Sequence, residues 1–130
     1  MRYFLAFFFL IFLLSSSCKK ESPTGSIVKG KYSIIITVKH HDRILQGIPV
    51  YLKNNATEFP GHDTTLYDWN KTSDLSGVAF FNELFGGNYF IYGKGIDTGI
   101  GLEVMGGAAL SVSDSTTVNN EVYVTLFVTE

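Results

Sequence analysis

The sequence predicts an all-β fold, a seven-stranded antiparallel β-sandwich of two sheets, placed behind a separate apolar N-terminal segment. Three observations carry that expectation. Apolar and β-branched residues alternate with polar ones in short runs, which is the period of half-buried strands. Clusters of Gly, Asn, Asp and Pro punctuate those runs and supply the chemistry of tight turns. No window of the 130-residue chain carries a helical period.

The strands are expected in the following order. Residues 32–39 place Tyr32, Ile34, Ile36 and Val38 on one face, and His40, His41, Asp42 and Arg43 turn the chain. Residues 48–53 form a second strand, with Pro49 at its start or on a sheet edge. Residues 54–64, with Asn54-Asn55, Pro60-Gly61 and His62-Asp63, read as a loop. A third strand over 65–71 puts Thr65, Tyr67, Trp69 and Lys71 on a common face. Residues 77–81 and 88–92 make the fourth and fifth strands on either side of Gly86-Gly87. The glycine-rich stretch 93–101 reads as a flexible loop leading to a sixth strand within 102–112. The polar stretch 113–120 turns into a seventh strand, where Val122, Val124, Leu126 and Val128 share a face. Seven short strands over about a hundred residues match the two-sheet sandwich.

The first residues differ in kind. Arg2 is followed by an unbroken apolar run, residues 3–14, and then by Ser15-Ser16-Ser17-Cys18. Twelve apolar residues fall short of the roughly twenty that span a bilayer, and a run apolar on every side at the extreme N-terminus suits a secretory signal better than a core helix. Small residues before a lone cysteine resemble a bacterial lipobox. That resemblance implies cleavage before Cys18, acylation of its thiol and anchoring by more than one acyl chain, enough for stable membrane attachment. The charged string Lys19-Lys20-Glu21 resembles the tag that directs some lipoproteins to the outer face of the outer membrane. The expected organisation is a lipoprotein signal peptide over 1–17, the lipidated cysteine and a tether over 18–30, and a β-sandwich domain over 31–130. Localisation follows as an outer-membrane lipoprotein of the bacterial envelope, exposed at the surface where the tag acts.

Beyond residue 17 the chain carries nine basic and twelve acidic side chains, a formal net charge of −3. With no basic stripe to neutralise phosphates, nucleic-acid binding is excluded as a function class. One cysteine excludes an intrachain disulfide framework. The domain is expected to be a monomer, with the membrane and a protein or glycan as partners and no cofactor.

The stretch 72–89 resembles the signature of carboxypeptidase regulatory-like, transthyretin-like sandwiches and the related B-type repeats of collagen-binding adhesins. Thr72, Asp74, Gly77, Phe81, Leu84, Gly87 and Tyr89 occupy its places, with Phe, Leu, Gly and Tyr at four, seven, ten and twelve residues beyond Gly77. Asp74 and Gly77 suit a turn, Phe81 and Leu84 a core, Gly87 a left-handed backbone, and Tyr89 a return to the sheet. The resemblance implies an immunoglobulin-like or transthyretin-like sandwich and says little about activity. Adhesin repeats often carry an internal isopeptide between a first-strand lysine and a last-strand asparagine, with a buried acid as proton shuttle. Here Lys39 could serve as the amine, but Tyr51 stands in the place of the acid and the last strand lacks asparagine, so no such bond is expected.

The residues with chemistry to offer are few. His40, His41, His62 and Asp63 form the one set that could ligate a metal, although adjacent histidines in extended backbone point to opposite sides. Solvated turn residues are the competing reading. The stretch 93–101 lacks the spacing of a phosphate loop, and no nucleophile has a recognisable base. Phe59 and Trp69, in or just after the long loop, could form an aromatic platform for a sugar ring or a protein, although a Tyr67–Trp69 pair on one strand face would more commonly pack in a core. The function expected is therefore a non-enzymatic binding or structural accessory module of the envelope. The alternative is a small envelope enzyme or metal-dependent site built on the loop histidines.

Overall fold

The computed structural model describes residues 28–130. The apolar run, Cys18 and most of the expected tether lie outside the described residues. The described residues form eight strands, one more than the seven expected because Arg43–Ile44 pair back on the end of the first as a short extra strand: β1 (Tyr32–His40), β2 (Arg43–Ile44), β3 (Pro49–Asn54), β4 (Trp69–Thr72), β5 (Val78–Leu84), β6 (Gly87–Asp97), β7 (Leu102–Val112) and β8 (Glu121–Phe127). They build two four-stranded sheets. In one, β1 lies between β8 and β5, and its last residues pair back with β2; the other runs in the order β4-β3-β6-β7.

Alternation decides which side chains enter the core. In β1, Tyr32, Ile34, Ile36 and Val38 are buried while their neighbours are half-exposed. Val50 and Leu52 of β3, Phe81 and Leu84 of β5, Tyr89 and Ile91 of β6, and Val122 and Leu126 of β8 close on them from both sheets. This is the sandwich that the strand pattern predicts.

Four further features differ from the expectation. The pairing is not wholly antiparallel, because β8 runs parallel to β1 from Ser33↔Glu121 to Lys39↔Phe127. The cause is the crossing segment 113–120, which is pinned to the start of β1. Asp114 accepts from Lys31 Nζ at 2.6 Å and from Tyr32 Oη at 2.8 Å, and Ser33 N donates to Asn120 O at 2.9 Å. Chain delivered to that end can only run alongside β1.

The expected strand over 65–71 is shortened from its front. Asp63 accepts from Thr65 N at 2.9 Å and from Thr65 Oγ1 at 2.7 Å, capping a 3₁₀ turn over Thr64–Leu66. Local side-chain bonding of this kind competes with the ladder, and β4 begins only at Trp69.

Of the stretch 93–101, expected as a loop, only residues 98–101 form a turn. Residues 93–97 continue β6 as part of a long β6–β7 hairpin that holds register from Gly87↔Val112 to Asp97↔Leu102. Glycines occur there because neighbours press close: a Cβ on Gly93 would stand 2.8 Å from Leu126, and one on Gly95 would stand 3.0 Å from Pro49. The fourth difference, at His41, belongs to the site below.

The motif over 72–89 shapes one turn and part of the core. Asp74 Oδ1 accepts from Ser76 N at 2.8 Å and Val78 N at 3.0 Å, and Gly77 takes φ 73. Thr72 ends β4 on the surface, Gly87 opens β6 at φ 154, and Tyr89 Oη donates to Phe85 O at 2.7 Å. Lys39 faces away from the core, paired with Phe127.

Candidate functional site

Two constellations stand out, at separate places on the sandwich. The first is an aromatic groove on the outer face of the β4-β3-β6-β7 sheet. Tyr51 of β3 and Phe90 and Tyr92 of β6 project from that face, and the segment between β3 and β4 folds back over them. Asp68 fastens the segment by accepting from Asn54 N at 2.7 Å and Lys53 Nζ at 3.1 Å. Tyr67 lies stacked on Tyr92, ring centroids 5.5 Å apart and planes at 17°, and its hydroxyl donates to Gly61 O at 2.9 Å.

Phe59 and His62 complete the arrangement. The Phe59 ring stands 4.9 Å from His62, 5.2 Å from Tyr92 and 5.8 Å from Phe90, and His62 Nδ1 shares a hydrogen bond with Tyr92 Oη at 3.0 Å. Between these rings and Met105 of β7 runs a groove of 270 Å³ with Gly106 and Gly107 in its wall. A Cβ on Gly107 would come within 2.7 Å of the Phe90 ring, so glycine keeps the groove open. Burial, and next the Tyr92 charge, push the Tyr67 phenol up to about 12. Burial also raises Tyr92. Both hydroxyls therefore remain neutral donors at ordinary pH.

Phe59, at 44% exposure, is the ring of this group that a partner could cover most fully. Trp69 does not join it. Trp69 is placed opposite Leu52 and packs against Tyr89 at 6.4 Å, on the core side of the sheet and at its open edge, where it is 43% exposed. The expected common face of Tyr67 and Trp69 fails because Tyr67 precedes the strand.

The second constellation is polar and lies where the β1–β2 turn meets the β6–β7 turn. Asp97, the last residue of β6, is only 1% exposed. Its carboxylate pairs with Arg43, stands 2.9 Å from His40 Nδ1 and accepts from Gly99 N at 2.9 Å. Desolvation works to raise its pKa, but the His40 bond, the Gly99 N–H and the Arg43 charge outweigh it and hold the carboxyl below the usual range. His40 is itself buried, at 4%. Glu130 Oε2 lies 2.6 Å from His40 Nε2 but out of hydrogen-bonding alignment, which leaves Nε2 without a bonded partner.

His41 reverses a sequence expectation here. Its φ of 52 breaks the extended alternation, and the two imidazoles end on one side with centroids 4.4 Å apart. Donor atoms of His40, His41 and Glu130 all lie within 4.8 Å of one another. His62 and Asp63 belong to the other constellation, one bonded to Tyr92 and one capping a turn, so the histidine set expected from sequence is divided between two sites. Asp97 and Glu130 were not legible as its partners, since 57 residues separate His40 from Asp97 and no local pattern links them. Sequence reasoning also misses an exposed aromatic row on the outer face of the other sheet, formed by Phe80, Tyr123 and Phe127.

No protein-family model matches the chain, and no curated protein does. Solved structures do resemble it. A variant of BcpA, the major pilin subunit of Bacillus cereus, superposes with a TM-score of 0.53 at 16% identity, over 78% of this chain and 30% of the pilin. BcpA itself gives a TM-score of 0.51 at 16% identity over 76% and 30%. The group B streptococcus pilus 2b backbone protein gives 0.51 at 18% identity over 75% and 40%. This chain thus corresponds to well under half of each pilus protein. At such identity the likeness establishes the shared all-β sandwich fold.

Proposed function

We propose that the chain is a non-enzymatic binding module of the bacterial cell envelope, anchored at the outer membrane through lipid on Cys18, and that its binding face is the groove beside Phe59. The groove carries this reading. Three aromatic rings and a glycine wall form a shallow apolar surface on a rigid sheet, with His62 as a polar edge, which suits the apolar face of a sugar ring. The motif over 72–89 supports a carboxypeptidase regulatory-like domain, a family whose sandwiches decorate proteins of many activities.

The test is titration of the purified chain with a panel of envelope and host glycans. Phe59→Ala is expected to weaken the best ligand about tenfold, while costing about 1 kcal/mol of stability because the ring is only half buried. Unchanged affinity in Phe59→Ala, with binding lost on substitution of the exposed Tyr123, would move the binding face to the opposite sheet.

The anchor has its own test. Cys18→Ala is expected to leave the membrane fraction and to lack the mass of the acyl chains. A Cys18→Ala protein that stays in the membrane would refute lipid attachment without touching the groove.

A further inference from the structure

The groove makes no use of the cluster around His40, and that cluster has the arrangement of a metal-binding histidine with its supporting carboxylate. The Asp97 carboxylate at Nδ1 is the kind of partner that orients a metal-ligating imidazole, and it aims Nε2 away from itself toward the space between two other side chains. That nitrogen is buried, has no aligned hydrogen bond and opens toward two exposed side chains, His41 and Glu130, the latter at ion-pair distance.

The 2.6 Å approach of Nε2 to the Glu130 carboxylate requires a cation shared by the two groups, a proton at the present distance or, with the two groups drawn about 3.4 Å apart, a metal ion. His41 decides between the two. A proton shared by His40 and Glu130 needs no third group, whereas His41 adopts φ 52, a conformation that a two-residue hairpin turn would normally give to Gly, Asn or Asp. The result is a second imidazole beside the first.

The geometry points to a divalent transition-metal site, of the zinc type, in which His40 Nε2, His41 and Glu130 are the ligands and Asp97 positions His40. Two imidazoles and one carboxylate suit zinc, cobalt or nickel, and leave a fourth position for water. Ligand atoms around one tetrahedral zinc stand roughly 3.4 Å apart. The present separations, from 2.6 Å between His40 Nε2 and Glu130 to at most 4.8 Å across the set, adjust to that spacing by rotation of His41 and Glu130, both exposed, while the buried His40 stays fixed.

The experiment titrates the purified full chain with Co²⁺, followed by its visible absorption, and then displaces it with Zn²⁺. One equivalent is expected to bind with tetrahedral or five-coordinate absorption. His41→Ala and Glu130→Gln, both at exposed positions, should each weaken binding at least tenfold with little change in melting temperature. Asp97→Asn should weaken it by roughly 10- to 100-fold and shift the Co²⁺ spectrum, while His62→Ala leaves both untouched. Absence of stoichiometric binding at millimolar metal would overturn the proposal and assign the cluster to a His40–Glu130 ion pair. Binding that survives His41→Ala, or falls equally in His62→Ala, would overturn it too.

Discussion

Tyr92→Ala is expected to cost about 4 kcal/mol of stability, the range found when a buried aromatic is truncated to alanine, and to abolish binding in the groove. The size of the effect is unexpected for a residue on the solvent side of a sheet. Tyr92 is nonetheless 2% exposed, because Tyr51, Tyr67, Phe59 and His62 close over it. Its ring is what the segment between β3 and β4 rests on, so that truncation releases the segment together with Phe59. Tyr92→Phe separates ring from hydroxyl. It keeps the packing, loses the bond to His62 and should cost about 1 kcal/mol. Chemical denaturation of the three proteins measures both figures. A loss below 1 kcal/mol in Tyr92→Ala would mean that the segment is held by Asp68 and its own turns, and that Phe59 does not depend on Tyr92.

The parts of the fold legible in the sequence are those fixed by short-range rules. Tyr32, Ile34, Ile36 and Val38 recur at every second position, and all four are buried, because a pleated strand with one wet face permits no other placement. Asp74 and Gly77 mark a turn because a short acceptor and a residue free to take positive φ are what that turn requires. The same rules fail where a distant neighbour decides. Gly93 and Gly95 read as a loop until Leu126 and Pro49 are seen pressing on their Cα atoms. The direction of β8 depends on where Asp114 ties down the crossing segment, which no pattern inside β8 reveals.

The candidate sites divide along the same line. Phe59 was legible as an exposed ring on a long loop, because Pro60 and Gly61 beside it preclude a strand. That Trp69 leaves the platform was not legible, since a cap at Asp63 shifts where the strand starts and with it the face on which each ring falls. Pairing of His40 with His41 contradicts simple alternation and rests on a single backbone angle. The acidic partners of that pair arrive from the β6–β7 turn and from the residues after β8, and only the closed sandwich brings them together.

Removal of the Asp97 carboxylate is the other substitution expected to have a large effect. Asp97→Ala leaves the buried Nδ1 of His40, the Arg43 guanidinium and the Gly99 N–H without their acceptor. Breaking one side of such a buried pair is far more costly than the pair's net worth, and the melting temperature should fall on the order of 10 °C for a domain of this size. Acid titration identifies the source of the loss. The Asp97 carboxyl is held below its ordinary value of 3.8, so its ionised form stabilises the folded state at every pH above that value. The contribution is lost as pH falls through the lower, folded-state pKa. The gap between wild type and Asp97→Ala should therefore narrow below about pH 4, as the wild-type carboxylate takes up its proton. Asp63, Asp68, Asp114 and Glu130 are also held low, but they are present in both proteins and largely cancel in the difference. A gap of the same size at pH 2.5 would show that the loss comes from the missing side-chain atoms alone and that the buried charge contributes nothing to the joint between the two turns.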